Sequence, residues 1–212
     1  MKILYEDNHL LVVEKPINVP MQEDESKDQD LLSMGKAYLK EKYQKPGNVY
    51  LGLVHRLDRP VGGVVVFAKS SKAASRLSEA IRSDQMIKTY EAVVEGLLPA
   101  QSTLIDYLVK DEKTNTSRVT DSKHGKYCEL SWEILQPEGS RHHLRIHLKT
   151  GRSHQIRVQF ASRGCPLVGD QRYNPNAKPG QQLALWAVEL CFPHPTSREM
   201  LCFTSTWNPP IQ

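Results

Sequence analysis

The feature that most constrains this chain is the run Gly62-Gly63-Val64-Val65-Val66-Phe67-Ala68, entered from His55-Arg56-Leu57-Asp58-Arg59-Pro60-Val61. An unbroken apolar run of this length, opened by a Pro- and Gly-rich turn, predicts a strand buried on both faces. The same segment sets one carboxylate, Asp58, between two arginines at the mouth of that strand. Neighbouring cations favour the charged form of a carboxylate, and a rigid strand behind it fixes its place. An Asp between arginines is also what a structural salt bridge or an Asx turn looks like. The segment alone leaves both readings open.

The rest of the chain supplies context. With 212 residues, 39% hydrophobic and 25% charged, the composition is that of a globular protein able to bury a core. Acids interrupt Met1-Lys2-Ile3-Leu4-Tyr5-Glu6-Asp7 too early for a secretory leader. No apolar run approaches a membrane span. Cys128, Cys165, Cys191 and Cys202 are scattered, without a C-x-x-C pair. The expectation is reduced thiols, a cytoplasmic location, and no metal site.

The net charge is only +4, but its distribution is uneven. No acid occurs between Glu138 and Asp170, a stretch holding Arg141, Arg145, Lys149, Arg152, Arg157 and Arg163 with His142, His143, His147 and His154. This pattern fits a footprint for a polyanion such as nucleic acid. An ordinary solvated basic face is the plainer alternative.

Ile3–Tyr5 and Leu10–Val13 flank Glu6-Asp7-Asn8-His9 and predict a β-hairpin. Met21–Asp30 is a polar loop. Leu31, Met34, Ala37, Tyr38 and Leu39 fall at helical spacing, ended by Pro46-Gly47-Asn48. Ser70-Ser71 caps a second helix with an Ala73, Leu77, Ile81 stripe. Strands are expected over Thr89–Gly96, Tyr127–Ile134, His143–Lys149, Leu183–Phe192 and Met200–Thr206. The alternation of Leu144, Ile146 and Leu148 with His143, Arg145, His147 and Lys149 gives the third of these one apolar and one cationic face. A short helix runs from Ser153 or His154 to Arg163, with Gly164 as its stop. The fold class is α+β, one domain over residues 1–212 with a mixed, mostly antiparallel sheet flanked by helices.

Arg157 sits beside Ile156 and three residues before Phe160, so it borders the apolar stripe and points partly inward. An inward arginine needs a buried anion, and Asp58 is the natural candidate. At ~4 Å such a pair is worth on the order of 4 kcal/mol before desolvation. Tyr90, in Lys88-Thr89-Tyr90-Glu91-Ala92, is as well explained by core packing as by a function.

His55-Arg56-Leu57-Asp58, followed by Gly63 and Ala68-Lys69, resembles the signature of the RluA family of RNA pseudouridine synthases. Thr150-Gly151-Arg152-Ser153-His154-Gln155-Ile156-Arg157 is similar to that family's second block. Gly164-Cys165-Pro166-Leu167-Val168-Gly169-Asp170-Gln171-Arg172-Tyr173 is similar to its third. The hairpin ending in Lys15-Pro16 and the stretch Leu190–Pro195 also fit, so the resemblance spans the chain.

The resemblance implies an isomerase that breaks the N1–C1′ bond of a uridine, rotates the uracil and rejoins it through C5. Asp58 maps to the essential catalyst. Tyr90 maps to the residue that stacks on the target base, Arg157 to the ion-pair partner of Asp58, and Arg56 to the base-flipping arginine. RNA-contacting candidates beyond Arg56 are His55, Arg152, His154 and Gln155 in the blocks and Arg141, Arg145 and Lys149 on the cationic strand. No cofactor or metal is expected. The partner is structured RNA, ribosomal or transfer, bound by a monomer, with no N-terminal S4-type RNA-binding domain. A non-catalytic RNA binder or chaperone on the same scaffold is the alternative, and a small phosphorylated ligand in the basic pocket a third. Val61-Gly62-Gly63 departs from the Thr-Ser-Gly usual in the family, Asn18 stands where a Gly is usual, and Leu185-Trp186-Ala187 replaces Leu-His-Ala.

Overall fold

The computed structural model describes residues 1–209, and the fold is α+β. Two compact units are discernible along the chain. One holds Met1–Ile87 and Ala187–Ser205, the other Lys88–Trp186 and the stretch beginning at Thr206.

The first unit starts with the expected hairpin, β1 (Lys2–Glu6) and β2 (Leu10–Lys15). The Asp7 carboxylate closes its turn by accepting the N–H groups of His9 and Leu10, each at 2.7 Å. Helix α1 (Leu31–Lys42) follows the polar loop, with Asp30 as N-cap to the Ser33 N–H at 2.9 Å. After β3 (Gly52–Leu53) comes β4 (Gly62–Ala68), then α2 (Ser71–Arg82), capped by Ser70.

All seven residues of β4 are buried. Its Val64, Val66 and Ala68 join Leu10 and Val12 of β2 against Ala73 and Leu77 of α2. On the other face of β2, Leu11 lies against Gly35 of α1. Cover on both sides is why the strand can be apolar at every position. Each large side chain so enclosed is worth about 1.5–3 kcal/mol of transfer free energy.

A second anchor is polar. Glu6 accepts from Tyr38, Lys42, Tyr43 and Lys69 at 2.7–2.8 Å, tying β1 to α1 and to the end of β4. Burial pushes this carboxyl up, but the four donors outweigh it and hold it down to about 2.

The second unit comprises β5 (Ile87–Glu95), β6 (Gln101–Asp111), β7 (Thr116–Thr120), β8 (Lys126–Glu138), β9 (Arg141–Leu148) and α3 (Gln155–Ala161). Its strand order is β5-β9-β8-β6-β7, every ladder antiparallel. Strands β6 and β7 escape the sequence reading because β6 buries only Leu104 and Leu108. A mostly polar strand carries little periodic signal. Helix α3 is shorter than expected at both ends. His154 precedes it with φ 55°, and Ser162 closes it two residues before the positive-φ Gly164.

The last strands, β10 (Leu185–Pro193) and β11 (Met200–Thr204), pair with each other, and in the first unit β10 lies beside β4. The reduced-thiol expectation is corrected here. Cys191 and Cys202 face each other across this ladder and form a disulfide, leaving Cys128 and Cys165 as free, buried thiols. The register that brings them together is invisible in a linear spacing of eleven residues.

The Glu6 network gives a pH-dependent prediction. The folded carboxyl titrates below the ordinary value of 4.5, so its stabilisation is complete above that value and is lost as pH falls toward 2. Glu6→Gln should lower unfolding free energy by about 2 kcal/mol at neutral pH. In urea melts the gap to the unaltered protein should close between pH ~5 and ~2.

Candidate active site

In the first unit, Asp58 lies in the turn that feeds β4, and the Val61 N–H donates to the Asp58 carbonyl at 3.0 Å. The group that fixes this turn is Lys15, which has no exposed surface. Its Nζ donates to the carbonyls of Pro16 at 3.0 Å, Arg59 at 3.0 Å and Val61 at 2.7 Å. Burial pushes the ammonium down to about 7, against an upward pull from the Asp58 carboxylate and with a further downward push from Arg59.

The expectation that both flanking arginines hold Asp58 ionised is therefore modified. The Arg59 guanidinium engages Asp24, Ser26 and Asp28 of the polar loop. The buried cation whose charge couples to Asp58 is Lys15. Arg56 is exposed. One ring nitrogen of His55 accepts the Val66 N–H at 3.1 Å, binding the segment to β4. Gly63 adopts φ +120°, and a Cβ there would lie 2.2 Å from the Ala187 carbonyl oxygen of β10. Only glycine fits that position. Asn18 does take the positive φ (61°) that its replacement of glycine requires.

In the second unit, Tyr90 is buried on β5, opposite Ile146 of β9. Arg157, on α3, does point inward and is 5% exposed. The anion that receives it in this unit is Asp170, fully buried, which sequence reasoning missed. Nε and Nη2 of Arg157 donate to the two carboxylate oxygens at 2.8 and 2.7 Å, a bidentate fork. The same Asp170 accepts the Arg172 and Tyr173 N–H groups at 3.0 and 3.2 Å. The arginine and the turn carrying Tyr173 thus share one anchor. Gly169 beside it has φ +72°, and a Cβ would lie 2.0 Å from the Gln182 carbonyl oxygen.

The sequence model of the RNA pseudouridylate synthase family matches residues 9–162. The chain belongs to this family. It is 30% identical over 204 residues to an uncharacterised RNA pseudouridine synthase, YhcT, of Bacillus subtilis, covering 95% of this chain and 67% of that protein. It is 36% identical over 177 residues to ribosomal large subunit pseudouridine synthase C of Buchnera aphidicola (82% and 54% covered). To synthase D of Yersinia pestis it is 33% identical over 180 residues (84% and 54%). The chain spans about half to two thirds of the length of these relatives. Among solved structures, human RNA pseudouridylate synthase domain containing 4 superposes with a TM-score of 0.82 at 21% identity, over 98% of this chain and 88% of that one. That likeness shows the fold.

In the second unit the cations of β9 lie on the opposite face of the sheet from Tyr90. Tyr90 pairs with Ile146, whose neighbour on β8 is Trp132, and Trp132 packs on Phe160 of α3. Tyr90 and α3 therefore occupy one face of the sheet. His143, Arg145 and His147 alternate onto the other. There they meet acids of adjoining strands: Arg141 pairs with Glu95, His143 and Arg145 with Glu91, and Lys149 with Glu129. On the α3 face, Arg163 pairs with Asp106. The acid-free stretch is acid-free along the chain only, and its charges are largely compensated in space.

Two other expected RNA contacts have internal duties. Gln155 is 2% exposed. Its amide donates to the Glu129 carbonyl and accepts from Thr150 and the Arg152 N–H, closing the turn before α3. His142, expected to face RNA or solvent, is buried and donates from Nε2 to the Gly96 carbonyl at 3.0 Å. Arg152 remains exposed, its Nε donating to the Tyr127 carbonyl. His154 is bonded to Tyr173.

Lys15 generates a prediction whose sign follows from its lowered value. Between pH ~7 and ~10 the unfolded chain holds a proton that the folded protein releases, so this group makes stability rise with pH. The unfolding free energy of the unaltered protein, minus that of Lys15→Met, should rise by up to roughly 1 kcal/mol per pH unit across that window. Paired denaturant melts at pH 7, 8 and 9 measure the slope.

Proposed function

We propose that this protein is an RNA pseudouridine synthase that acts on specific uridines of structured RNA. The observation that carries the reading is the pairing of motif with scaffold. The residues that the family blocks mark for chemistry, Asp58 and Arg157, are each set in place by a dedicated buried charge, Lys15 in one unit and Asp170 in the other. Such buried charges are costly unless fully bonded, and holding a reactive group in fixed geometry is where that cost has a return.

In the proposed reaction a target uridine is flipped from its stack, at a cost of a few kcal/mol. Asp58, as an ionised carboxylate, acts at the sugar as nucleophile or base while the N1–C1′ bond breaks. The uracil turns in the pocket, C5 bonds to C1′ as Asp58 leaves C1′ or returns the sugar proton, and C5 loses its proton while N1 gains one. Tyr90 supplies the flat wall against the base. Arg157 is the arginine that the family resemblance assigns to this reaction, its guanidinium held by the Asp170 fork. Arg56 fills the gap left by the flipped base. The reaction is an isomerisation, so atoms and electrons balance without a co-reactant. Two relatives are named for the large ribosomal subunit, which makes its RNA the first substrate to test and transfer RNA the second.

Incubation with unmodified large-subunit ribosomal and transfer RNA transcripts, followed by carbodiimide treatment and primer extension, should reveal a new pseudouridine stop. Asp58→Ala should slow its formation by at least about a thousandfold while filter-bound RNA changes little. Full activity in Asp58→Ala would overturn the assignment. Tight binding without conversion by the unaltered protein would favour a non-catalytic RNA binder.

A further inference from the structure

Tyr173 lies on the turn anchored by Asp170. Three contacts converge on its ring and hydroxyl. The phenol oxygen accepts the Ser117 N–H of β7 at 2.7 Å. It lies 2.7 Å from Nδ1 of His154. The Arg157 guanidinium carbon stands 5.1 Å from the ring centroid, over its face. Meanwhile the Tyr173 backbone N–H bonds to the carboxylate that forks Arg157.

These contacts fix a proton. A tyrosine hydroxyl has one hydrogen. Its oxygen already accepts from Ser117, and among the described residues the acceptor within reach of that hydrogen is His154 Nδ1. A histidine whose Nδ1 accepts is neutral and carries its hydrogen on Nε2. Burial pushes the Tyr173 hydroxyl up, which keeps it a donor at neutral pH. An imidazolium would add a second positive charge three residues before Arg157 at the same end of α3, which electrostatics disfavours. His154 also sits in the left-handed region, φ 55° and ψ 22°, a conformation uncommon for a residue with a Cβ and held there by its surroundings.

We propose that Tyr173 is a positioning residue that fixes His154 as the neutral Nε2–H tautomer and steadies the Arg157 guanidinium with its ring. The consequence for the proposed reaction, on which this inference rests, is that the start of α3 carries one fixed, neutral imidazole beside Arg157 rather than a mobile charge, and that the guanidinium is held in one orientation.

The test is nitrogen-15 NMR of protein labelled on its histidine rings, with His154 assigned by the signals missing from His154→Gln. At pH 7 the unaltered protein should show His154 as a neutral ring with bare Nδ1 and protonated Nε2. In Tyr173→Phe the tautomers should mix, and single-turnover pseudouridine formation should fall about tenfold with little change in melting temperature. A protonated Nδ1 in the unaltered protein overturns the proposal, whether or not the variant folds. So does an unchanged ring spectrum or an unchanged rate in Tyr173→Phe. The unaltered protein's spectrum needs no substrate, so a failure to modify any RNA would count against the proposed function alone.

Discussion

A lysine without exposed surface donates to three backbone carbonyls at the entrance to β4, and the position of Asp58 follows from that arrangement. Pro16 lies beside it on the hairpin, whereas Arg59 and Val61 bracket the Asp58 turn. A turn rich in glycine has many conformations to lose. One amine bonded across it removes that freedom. The buried sheet beneath makes the amine's position equally fixed, since Val64–Ala68 are buried throughout and pack on α2.

The second unit solves the same problem with the opposite charge. Asp170 bonds Arg157 through a fork and also caps the turn that carries Tyr173. Breaking one partner of such a pair would leave an uncompensated buried charge, typically a loss of 3–5 kcal/mol. The family's third block, Gly164–Tyr173, thereby has a physical purpose. Gly169 lets the chain pass the Gln182 carbonyl, Asp170 holds the arginine, and Tyr173 reaches His154.

Elements with a strong periodic signature were legible in the sequence. The buried strand, the first hairpin, the helix spaced from Leu31, the helix capped at Ser70 and the alternating strand β9 lie about where pattern and, for the second helix, cap chemistry put them. What pattern conceals is pairing. Lysine reads as a surface residue, so nothing in Lys15-Pro16 announces a fully buried amine. The stripe around Ile156 showed that Arg157 needs an anion, but the supplier within its own unit lies thirteen residues on. The acids that offset β9 sit on β5 and β8, and a window along one strand does not contain its neighbours. Alternation also sends those cations to the face away from Tyr90.

The placement of the motif residues Asp58 and Arg157 thus follows from two buried ionic anchors, one in each unit. The most direct test is amide hydrogen exchange at Val61, whose N–H closes the Asp58 turn. In Lys15→Met, Val61 should lose protection by about a hundredfold while the β6–β7 amides of the other unit keep theirs. Equal protection of Val61 in the variant and the unaltered protein would contradict the claim that Lys15 holds Asp58 in place.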